Sequence, residues 1–532
     1  MYLSSYLPEE CYGCKACFNA CHKKAISFQE GGDTFLYPVI NKDKCVDCGE
    51  CRRVCPIQYE GLLRPQQCVV AIVKDRDDWE RSSSGGAFKV LALAAWDKSK
   101  YEHKKFYLCA CDWDESFHVS HKIVLVEDVC HIEQFCKSKY VQSDMHEVYS
   151  SVKKLLLNDE NNVMFVGTPC QVAGMKMLLK GSGGGNLICI DLICHGAPSQ
   201  KIFDKYRSDI ESKEESELKR YTFKNKKMLD NGTIYTRSAK VDFKNGNSRM
   251  VTRFSDDYIN LFYTMSYHYR PSCYTCRFKN AFRVGDITIG DAWHIDKKYP
   301  ELNPMHGISL ILLNTNKAKD YEPYICQSMD TYDCDYDFMV ESNNALQRPN
   351  GNPIPKEIIT NFFMNIKDER ASFSECAKAY IESVNEYKKK IKMDKPYIIG
   401  YTTGVFDMFH IGHLNILKKA KENCDFLIVG VSTDETVETY KHKKPVVSFE
   451  ERVAIVEAIR YVDKVVPQTS MNKFEAWEKL HFDRLFHGND WKGSNMYNEV
   501  EKQLEAVGVE VVYFQYTQGT SSTLLKEKLI EK

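Results

Sequence analysis

Cys11-Tyr-Gly-Cys14-Lys-Ala-Cys17-Phe-Asn-Ala-Cys21 and, after a spacer, Cys45-Val-Asp-Cys48-Gly-Glu-Cys51-Arg-Arg-Val-Cys55-Pro56 decide how the chain is read. Both runs carry C-x2-C-x2-C-x3-C, the spacing that wraps thiolates around cubane iron–sulfur clusters. Three cysteines on a tight loop reach three corners of one cube, and the fourth serves the neighbouring cluster. The spacing therefore predicts one 4Fe-4S centre on Cys11, Cys14, Cys17 and Cys55 and a second on Cys45, Cys48, Cys51 and Cys21. A disulfide framework is disfavoured, because Met1-Tyr-Leu-Ser-Ser-Tyr-Leu-Pro-Glu-Glu10 lacks the basic and apolar parts of a signal peptide. A zinc site needs four ligands but not this regular triple step.

The segment resembles a bacterial-type two-cluster ferredoxin, with His22 where proline is more usual. Between the runs, Ala25–Phe28 and Thr34–Ile40 read as short strands around Glu30-Gly-Gly-Asp33, with short helices after each run. Residues 1–60 are thus expected to form an α+β ferredoxin-like domain. Such a domain moves single electrons and does no chemistry on a substrate.

Composition sets the outer bounds. The 532 residues are 43% hydrophobic and 27% charged, with a net charge of −1, which suits roughly three or four soluble globular domains. Interleaved charges imply no nucleic acid partner. No apolar run approaches the roughly twenty residues that span a bilayer, so no membrane span is expected. Twenty-two cysteines without an export signal predict a reducing compartment, the cytoplasm.

In residues 61–385, Val69–Val73 reads as a buried strand ahead of Arg81-Ser-Ser-Ser-Gly-Gly-Ala87 and an apolar-periodic helix. Hydroxyls and glycines at a helix start make either an anion site or an ordinary serine cap. Val163–Val166 leads into Gly167-Thr-Pro-Cys170-Gln171, and Leu187–Ile190 leads into Cys194-His195-Gly196. Both put a cysteine just past the C-terminal end of a strand, where open α/β sheets gather ligands. Cys273-Tyr-Thr-Cys276 and Gly290-Asp-Ala-Trp293 follow. These motifs, with Ser83-Ser-Gly-Gly86, occur in the order seen in the coenzyme F-420 hydrogenase/dehydrogenase beta subunit family, which this stretch resembles. The resemblance implies an α/β flavoprotein domain with FAD near Ser83, Ser84, Gly85 and Gly86. It also implies a third 4Fe-4S cluster on Cys170, Cys194, Cys273 and Cys276, with a redox-active thiol pair as the rival reading. An electron donor such as ferredoxin or a reduced deazaflavin would supply it. Gly181–Gly185 reads as a flexible connection and Lys213–Arg220 as a solvated face. His103, His118, His121 and His131 read as surface or packing. Cys68, Cys109, Cys111, Cys130, Cys136, Cys189, Cys326, Cys334, Cys376 and Cys424 lack cluster spacing and receive no role.

Residues 386–396 read as a charged linker. Tyr397–Tyr401 then begins a strand that runs into Thr402-Thr-Gly-Val-Phe-Asp407-Met-Phe-His410-Ile-Gly-His413. Two histidines three apart at a helix start project the same way. Gly412 lets phosphate approach, and the helix dipole favours the charge that builds on a transferring phosphorus. With Lys443-Lys444, Phe449-Glu-Glu-Arg452, Arg460-Tyr-Val-Asp463, His487-Gly-Asn-Asp490-Trp491 and Gly519-Thr-Ser-Ser-Thr523, residues 397–532 resemble the glycerol-3-phosphate cytidylyltransferases, an α/β Rossmann-like fold. The resemblance implies that CTP, with Mg2+, reacts with a phosphorylated alcohol to give a CDP-alcohol and pyrophosphate. His410 and His413 would stabilise the transition state, and Lys444 (or Lys443) would neutralise phosphate oxygens. Asp407, Arg452, Gly404, Phe406, Arg460, Thr520, Ser521, Ser522 and Thr523 would order nucleotide and acceptor. Tyr516 stands where the family usually has arginine, which leaves the acceptor open; Arg484, Lys492 or Lys526 could compensate.

The whole reads as an iron–sulfur flavoprotein oxidoreductase fused to a cytidylyltransferase, pairing as a homodimer through the transferase domain and serving surface polysaccharide or cell-envelope synthesis. Two alternatives stand beside it. The redox module could be a sensor that regulates the transferase, or the acceptor could be another alcohol phosphate such as phosphoethanolamine.

Overall fold

The structure, a computed structural model, describes residues 9–180, 185–228, 234–235, 238–252, 255–262, 268–347, 354–394, 398–489, 495–505 and 507–514. It divides into two compact units, Met1–Asn385 and Glu386–Lys532.

In the first unit, helix α1 (Ala16–Ala20) lies inside the first cysteine run, earlier than the sequence pattern suggests. Hairpin strands β1 (Ile26–Glu30) and β2 (Leu36–Ile40) pair antiparallel, as the alternation around Gly31-Gly32 predicts. There follow β3 (Gln67–Val73), helix α2 (Ala87–Tyr101), β4 (Lys105–Trp113), β5 (Val119–Leu125), β6 (Asn161–Gly167), helix α3 (Pro169–Leu179) and β7 (Leu187–Leu192). A three-stranded sheet, in the order β10-β9-β8, is made by β8 (Leu218–Phe223), β9 (Ser238–Phe243) and β10 (Ser248–Thr252). Lys227–Met228 and Ile234–Tyr235 form a short two-stranded sheet, and three strands of the central sheet follow, β11 (Ile287–Asp291), β12 (Ser309–Leu313) and β13 (Met329–Asp333).

An eight-stranded sheet, in the order β13-β3-β12-β11-β7-β6-β4-β5, is the centre of this unit. Its inner strands β4, β6, β7 and β11 are parallel, and the flanking strands are antiparallel. Near-continuous apolar runs such as Val163–Val166 suit parallel strands covered on both faces. One face packs on Leu91, Ala95 and Trp79, and the other on Tyr149, Val172 and Met175. A buried Arg283–Asp191 ion pair at 2.7 Å ties β7 to the turn before β11.

In the second unit, β14 (Ile399–Gly404), helix α4 (Ile411–Glu422), β15 (Phe426–Ser432), helix α5 (Phe449–Glu457), β16 (Lys464–Gln468), helix α6 (Lys473–Leu480), β17 (Arg484–Gly488) and β18 (Glu510–Phe514) alternate regularly. The sheet is all parallel in the order β16-β15-β14-β17-β18. Strand order reverses beside β14, the switch point where doubly wound sheets bind ligands at their C-terminal ends.

Two expectations are corrected. Residues 386–394 continue the helix Phe373–Asp394, because that stretch is rich in lysine, a good helix former, and lacks Gly or Pro to break it. Lys213–Arg220 is not one solvated face: Leu218 starts β8 and is buried. Among the described residues, no helix is long and apolar enough to cross a membrane.

Candidate functional site

The thiols of the first unit form groups. Burial, with the thiols of Cys55, Cys17 and Cys11, pushes the Cys14 thiol well above its ordinary range. Burial, Cys11 and Cys55 act the same way on Cys17. Cys51 is raised by burial, with Cys45 and Cys48 as its thiol neighbours, while Cys21 accepts the Ala25 N–H at 3.3 Å. Burial raises Cys170, and Cys276, Cys194 and Cys14 add to the effect. Cys273 is raised to about 12 by burial, then by Cys194 and Cys276. Cys170, Cys194, Cys273 and Cys276 thus come together, as do Cys11, Cys14, Cys17 and Cys55, and Cys14 adjoins Cys170. Gly174 on α3 permits that approach: a Cβ there would lie 3.2 Å from the Ala16 Cβ and 3.5 Å from the Cys14 Sγ. Among the described residues, no three His, Cys, Asp or Glu side chains are close enough to hold a single metal ion.

Local chemistry fixes these cysteines. Cys170 sits in the first turn of α3, whose capping box links Thr168 and Gln171, and the Thr168 hydroxyl lies 3.2 Å from the Cys170 Sγ. Gln171 donates to the Ser143 hydroxyl at 2.9 Å, and Ser143 lies 2.9 Å from Nδ1 of His121. Nε2 of His121 lies 2.9 Å from the Val166 carbonyl oxygen. Burial holds that imidazole neutral by lowering it to about 4. The sequence gives no sign of Arg270, 2% exposed. It donates to the carbonyls of Cys11 at 3.0 Å and Leu36 at 2.7 Å and to Gln142 at 3.1 Å, pinning the cysteine-rich segment in place.

Beside the third thiol group lies a cavity of about 1420 Å³ lined by Ser83, Ser84, Gly86, Cys170, Cys194, Cys273 and Cys276, among others. That exceeds the roughly 300–1,000 Å³ of a usual small-molecule site. Gly86, at φ +92°, caps α2 and lines the cavity, and a Cβ there would lie 2.7 Å from Cγ1 of Val73. Gly85 instead faces the sheet, where a Cβ would lie 2.3 Å from the Ala71 carbonyl oxygen and 2.5 Å from the Ser309 nitrogen. Ser83 accepts the Ser138 N–H at 2.7 Å, and Ser84 donates to the Ile308 carbonyl at 2.9 Å. Three lysines missed in the sequence crowd this loop. Lys226 donates to the Ser84 carbonyl at 2.7 Å and the Ser82 hydroxyl at 3.0 Å. Lys137 donates to the Glu80 carbonyl at 3.0 Å and the Ser82 carbonyl at 3.1 Å. Lys224 pairs with Asp291. Burial lowers Lys226 to about 6, with Lys137 and Lys224 adding repulsion. Burial also lowers Lys137 to about 8, with Lys224 and Arg220 repelling it. An anion placed beside them would favour the charged form of each lysine.

In the second unit the candidate histidines lie on the Gly404–His413 turn. Phe406 and Met408 sit at φ 55° and 51°, a left-handed conformation that costs energy in non-glycine residues and clusters at functional turns. His410 caps α4: its Nδ1 accepts the Gly412 N–H at 3.1 Å, and His413 Nδ1 accepts the His410 N–H at 3.4 Å. The rings stack at 4.0 Å. With each Nδ1 an acceptor, the proton of each neutral ring sits on Nε2. Burial, then the neighbouring His410, lowers His413 to about 4, and burial lowers His410 as well.

Asp407, 6% exposed, accepts the N–H groups of Val446 and Val447, both at 3.0 Å. Arg452 is fully buried. It donates to the carbonyls of Val447 at 3.0 Å, Ser432 at 2.8 Å and Val405 at 2.5 Å, and pairs with Asp434. Both residues hold the loops around the histidines. Lys444 is exposed on its loop, 3.9 Å from Glu438, and Arg460 is exposed, donating to the Tyr461 hydroxyl at 2.7 Å. Lys473, missed in the sequence, is 2% exposed, and its Nζ has no hydrogen-bond partner among the described residues. Burial lowers it to about 8, and it faces His487 on β17. Asp490, Trp491, Lys492, Tyr516, Gly519–Thr523, Lys526 and Gly181–Gly184 lie outside the described residues.

Residues 401–528 match the family described as cytidylyltransferase-like. The glycerol-3-phosphate cytidylyltransferase of Staphylococcus aureus is 38% identical over 132 residues, which are 25% of this chain and 94% of that protein. The chain belongs to the cytidylyltransferase-like family. The cytidylyltransferase unit is also 38% identical over 135 residues to the glycerol-3-phosphate cytidylyltransferase of Bacillus subtilis, covering 24% of this chain and 94% of that protein. The ethanolamine-phosphate cytidylyltransferase of Mus musculus is 41% identical over 115 residues, covering 20% of this chain and 28% of that protein. Ahead of the cytidylyltransferase unit, residues 10–59 match a 4Fe-4S dicluster domain. Residues 160–326 match the C terminus of the coenzyme F420 hydrogenase/dehydrogenase beta subunit. The chain therefore joins a nucleotidyltransferase to an iron–sulfur oxidoreductase module.

Proposed function

We propose that the second unit transfers the cytidylyl group of CTP to a polyol phosphate, with glycerol 3-phosphate the first candidate. An oxygen of the acceptor phosphate attacks the α-phosphorus in line. The new P–O bond forms as the bond to pyrophosphate breaks, and little proton transfer is needed. The observation that carries this reading is the paired Nδ1 anchoring of His410 and His413. It leaves two neutral Nε2–H donors to stabilise the charge that builds on the phosphorus oxygens. Asp407 and Arg452 act as positioning residues, Lys444 meets phosphate from its loop, and Lys473 supplies a buried cation for the acceptor phosphate. Gly404, Phe406, Arg460 and Thr520–Thr523 frame the CTP, with Mg2+ on its phosphates.

For the first unit, the proposal is an electron-transferring flavoprotein. Cys11, Cys14, Cys17 and Cys55, Cys45, Cys48, Cys51 and Cys21, and Cys170, Cys194, Cys273 and Cys276 would each hold a 4Fe-4S cluster. The cavity beside the last group fits FAD: Ser83, Ser84 and Gly86 flank it, and Lys137 and Lys224, with Lys226 beside them, would neutralise its diphosphate. Bound flavin would convert single electrons into a two-electron exchange. The fusion itself supports a shared pathway toward an activated polyol for surface polysaccharide or the cell envelope, in a reducing cytoplasm.

The test is pyrophosphate release from CTP with glycerol 3-phosphate, other polyol phosphates and phosphoethanolamine as acceptors. Turnover with a polyol phosphate supports the reading. Turnover confined to phosphoethanolamine would favour the second acceptor, which the mouse relative suggests. No release with any acceptor would overturn the transferase assignment. Anaerobic iron analysis tests the first unit, for which about twelve irons per chain are expected.

A further inference from the structure

We propose that Cys68 and Cys334 are a redox-active dithiol that closes to an intrachain disulfide. Strand β13 pairs antiparallel with β3 in an unbroken register that sets Tyr332 against Val70 and Asp333 against Val69. Cys334 follows directly on the end of β13, and the same register carried one residue on would set it against Cys68. The Lys74 N–H bonds to the Ser328 carbonyl at 3.1 Å, which makes that facing pair a hydrogen-bonded one. Alternation along the ladder then gives the 68/334 position the same type, with Cα atoms about 5.5 Å apart. Disulfides usually bridge Cα separations of about 4.4–6.8 Å.

The side chains also share a face. Cys68, Ile72, Tyr332 and Cys334 all pack on the cluster of Val70, Leu310 and Leu312. The two thiols act on one another, Cys334 raising Cys68 and Cys68 lowering Cys334, which makes Cys334 the more acidic partner; the Cys334 thiol donates to the Asp335 carbonyl at 3.6 Å. Lys298 stands by: its ammonium donates to the Asp333 carbonyl at 3.0 Å and favours a Cys334 thiolate. Cys334 is partly exposed, and β13 is an edge strand of the sheet. A small oxidant can therefore reach it.

The chemistry balances with a low-molecular-weight disulfide such as glutathione disulfide. The Cys334 thiolate attacks one sulfur of the oxidant, forming a mixed disulfide and releasing one thiolate. With Cys334 tied up in the mixed disulfide, Cys68 gives its proton to the first released thiolate and then attacks the Cys334 sulfur, closing the protein S–S bond and releasing the second thiolate. Two electrons pass to the oxidant, and the two protein thiol protons end on the two released thiols. The bond would staple the edge strand to β3.

The experiment uses the full-length holoprotein under argon, equilibrated in graded mixtures of reduced and oxidised glutathione. Free thiols are then alkylated and the unreduced digest is mapped by mass spectrometry. The expected result is a cross-linked peptide joining Cys68 to Cys334, with both positions lost from the alkylated pool together. In Cys68→Ser, Cys334 should instead carry a mixed disulfide with glutathione. Alkylation of both residues at a poise where the exposed Cys130 and Cys326 are already glutathionylated would overturn the proposal. So would pairing of either residue with any other cysteine.

Discussion

The two units build their sites in opposite ways. In the second, the chemistry sits on one turn: His410 and His413 are three residues apart, and each anchors on backbone N–H groups of the same helix start. In the first, Cys170 comes from the first turn of α3, Cys194 from the segment after β7, and Cys273 and Cys276 from one later loop, while the neighbouring Cys14 comes from another segment again. A site on one turn needs correct local backbone, whereas a site assembled from several loops needs the whole sheet. Damage to the first kind should stay chemical, and damage to the second should spread to structure and cofactor content.

The largest expected effect tests the local site. His413→Ala removes one of the two Nε2–H donors, and kcat for CTP turnover should fall about 100- to 1000-fold. Iron content should stay unchanged, as atomic absorption would show. A smaller drop would mean that charge stabilisation comes mainly from Lys444 or Lys473. Next, Cys170→Ser should lower iron from about twelve to about eight per chain while CTP turnover persists. Full iron retention would favour a thiol pair over a cluster at the third group.

Arg452→Ala lies between the two cases, because it is local in sequence yet ties three carbonyls and Asp434 together. It should destabilise the second unit by about 3 kcal/mol, read as an earlier thermal transition for that unit. An unshifted transition would remove its positioning role. The smallest effect concerns pH. Burial depresses the Lys473 ammonium to about 8, so its charge is present below that pH and is lost as pH rises through it. KM for the phosphorylated acceptor should therefore climb severalfold between pH 7 and 9. In Lys473→Met it should be high and flat, and a wild-type KM independent of pH would exclude the contact.

Legibility in the sequence follows the same division. The ferredoxin hairpin, β6, β7 and β14 were readable because alternation or apolar runs report directly on burial. The H-x-G-H turn was readable because its parts are adjacent. The third thiol group was foreseeable through a family resemblance alone, since nothing local connects Cys170 to Cys273. Lys137, Lys224, Lys226 and Lys473 were invisible, because a lysine in a polar stretch reads as solvated until packing buries it. The charged stretch at 386–394 reads as a linker by composition, yet it continues a helix for want of a breaking residue.

By itself, then, the sequence determined the cysteine spacing that suits two clusters, the strand–turn–helix that carries His410 and His413, and the alternating pattern of the second unit. Each depends on interactions within a few residues. Tertiary structure alone decided that Gly85 packs against the sheet and Gly86 against Val73, that Lys137, Lys224 and Lys226 gather at one loop, and that Cys68 and Cys334 come close enough to shift one another. Those outcomes depend on strand order and register, which arise when distant segments bury their apolar faces together.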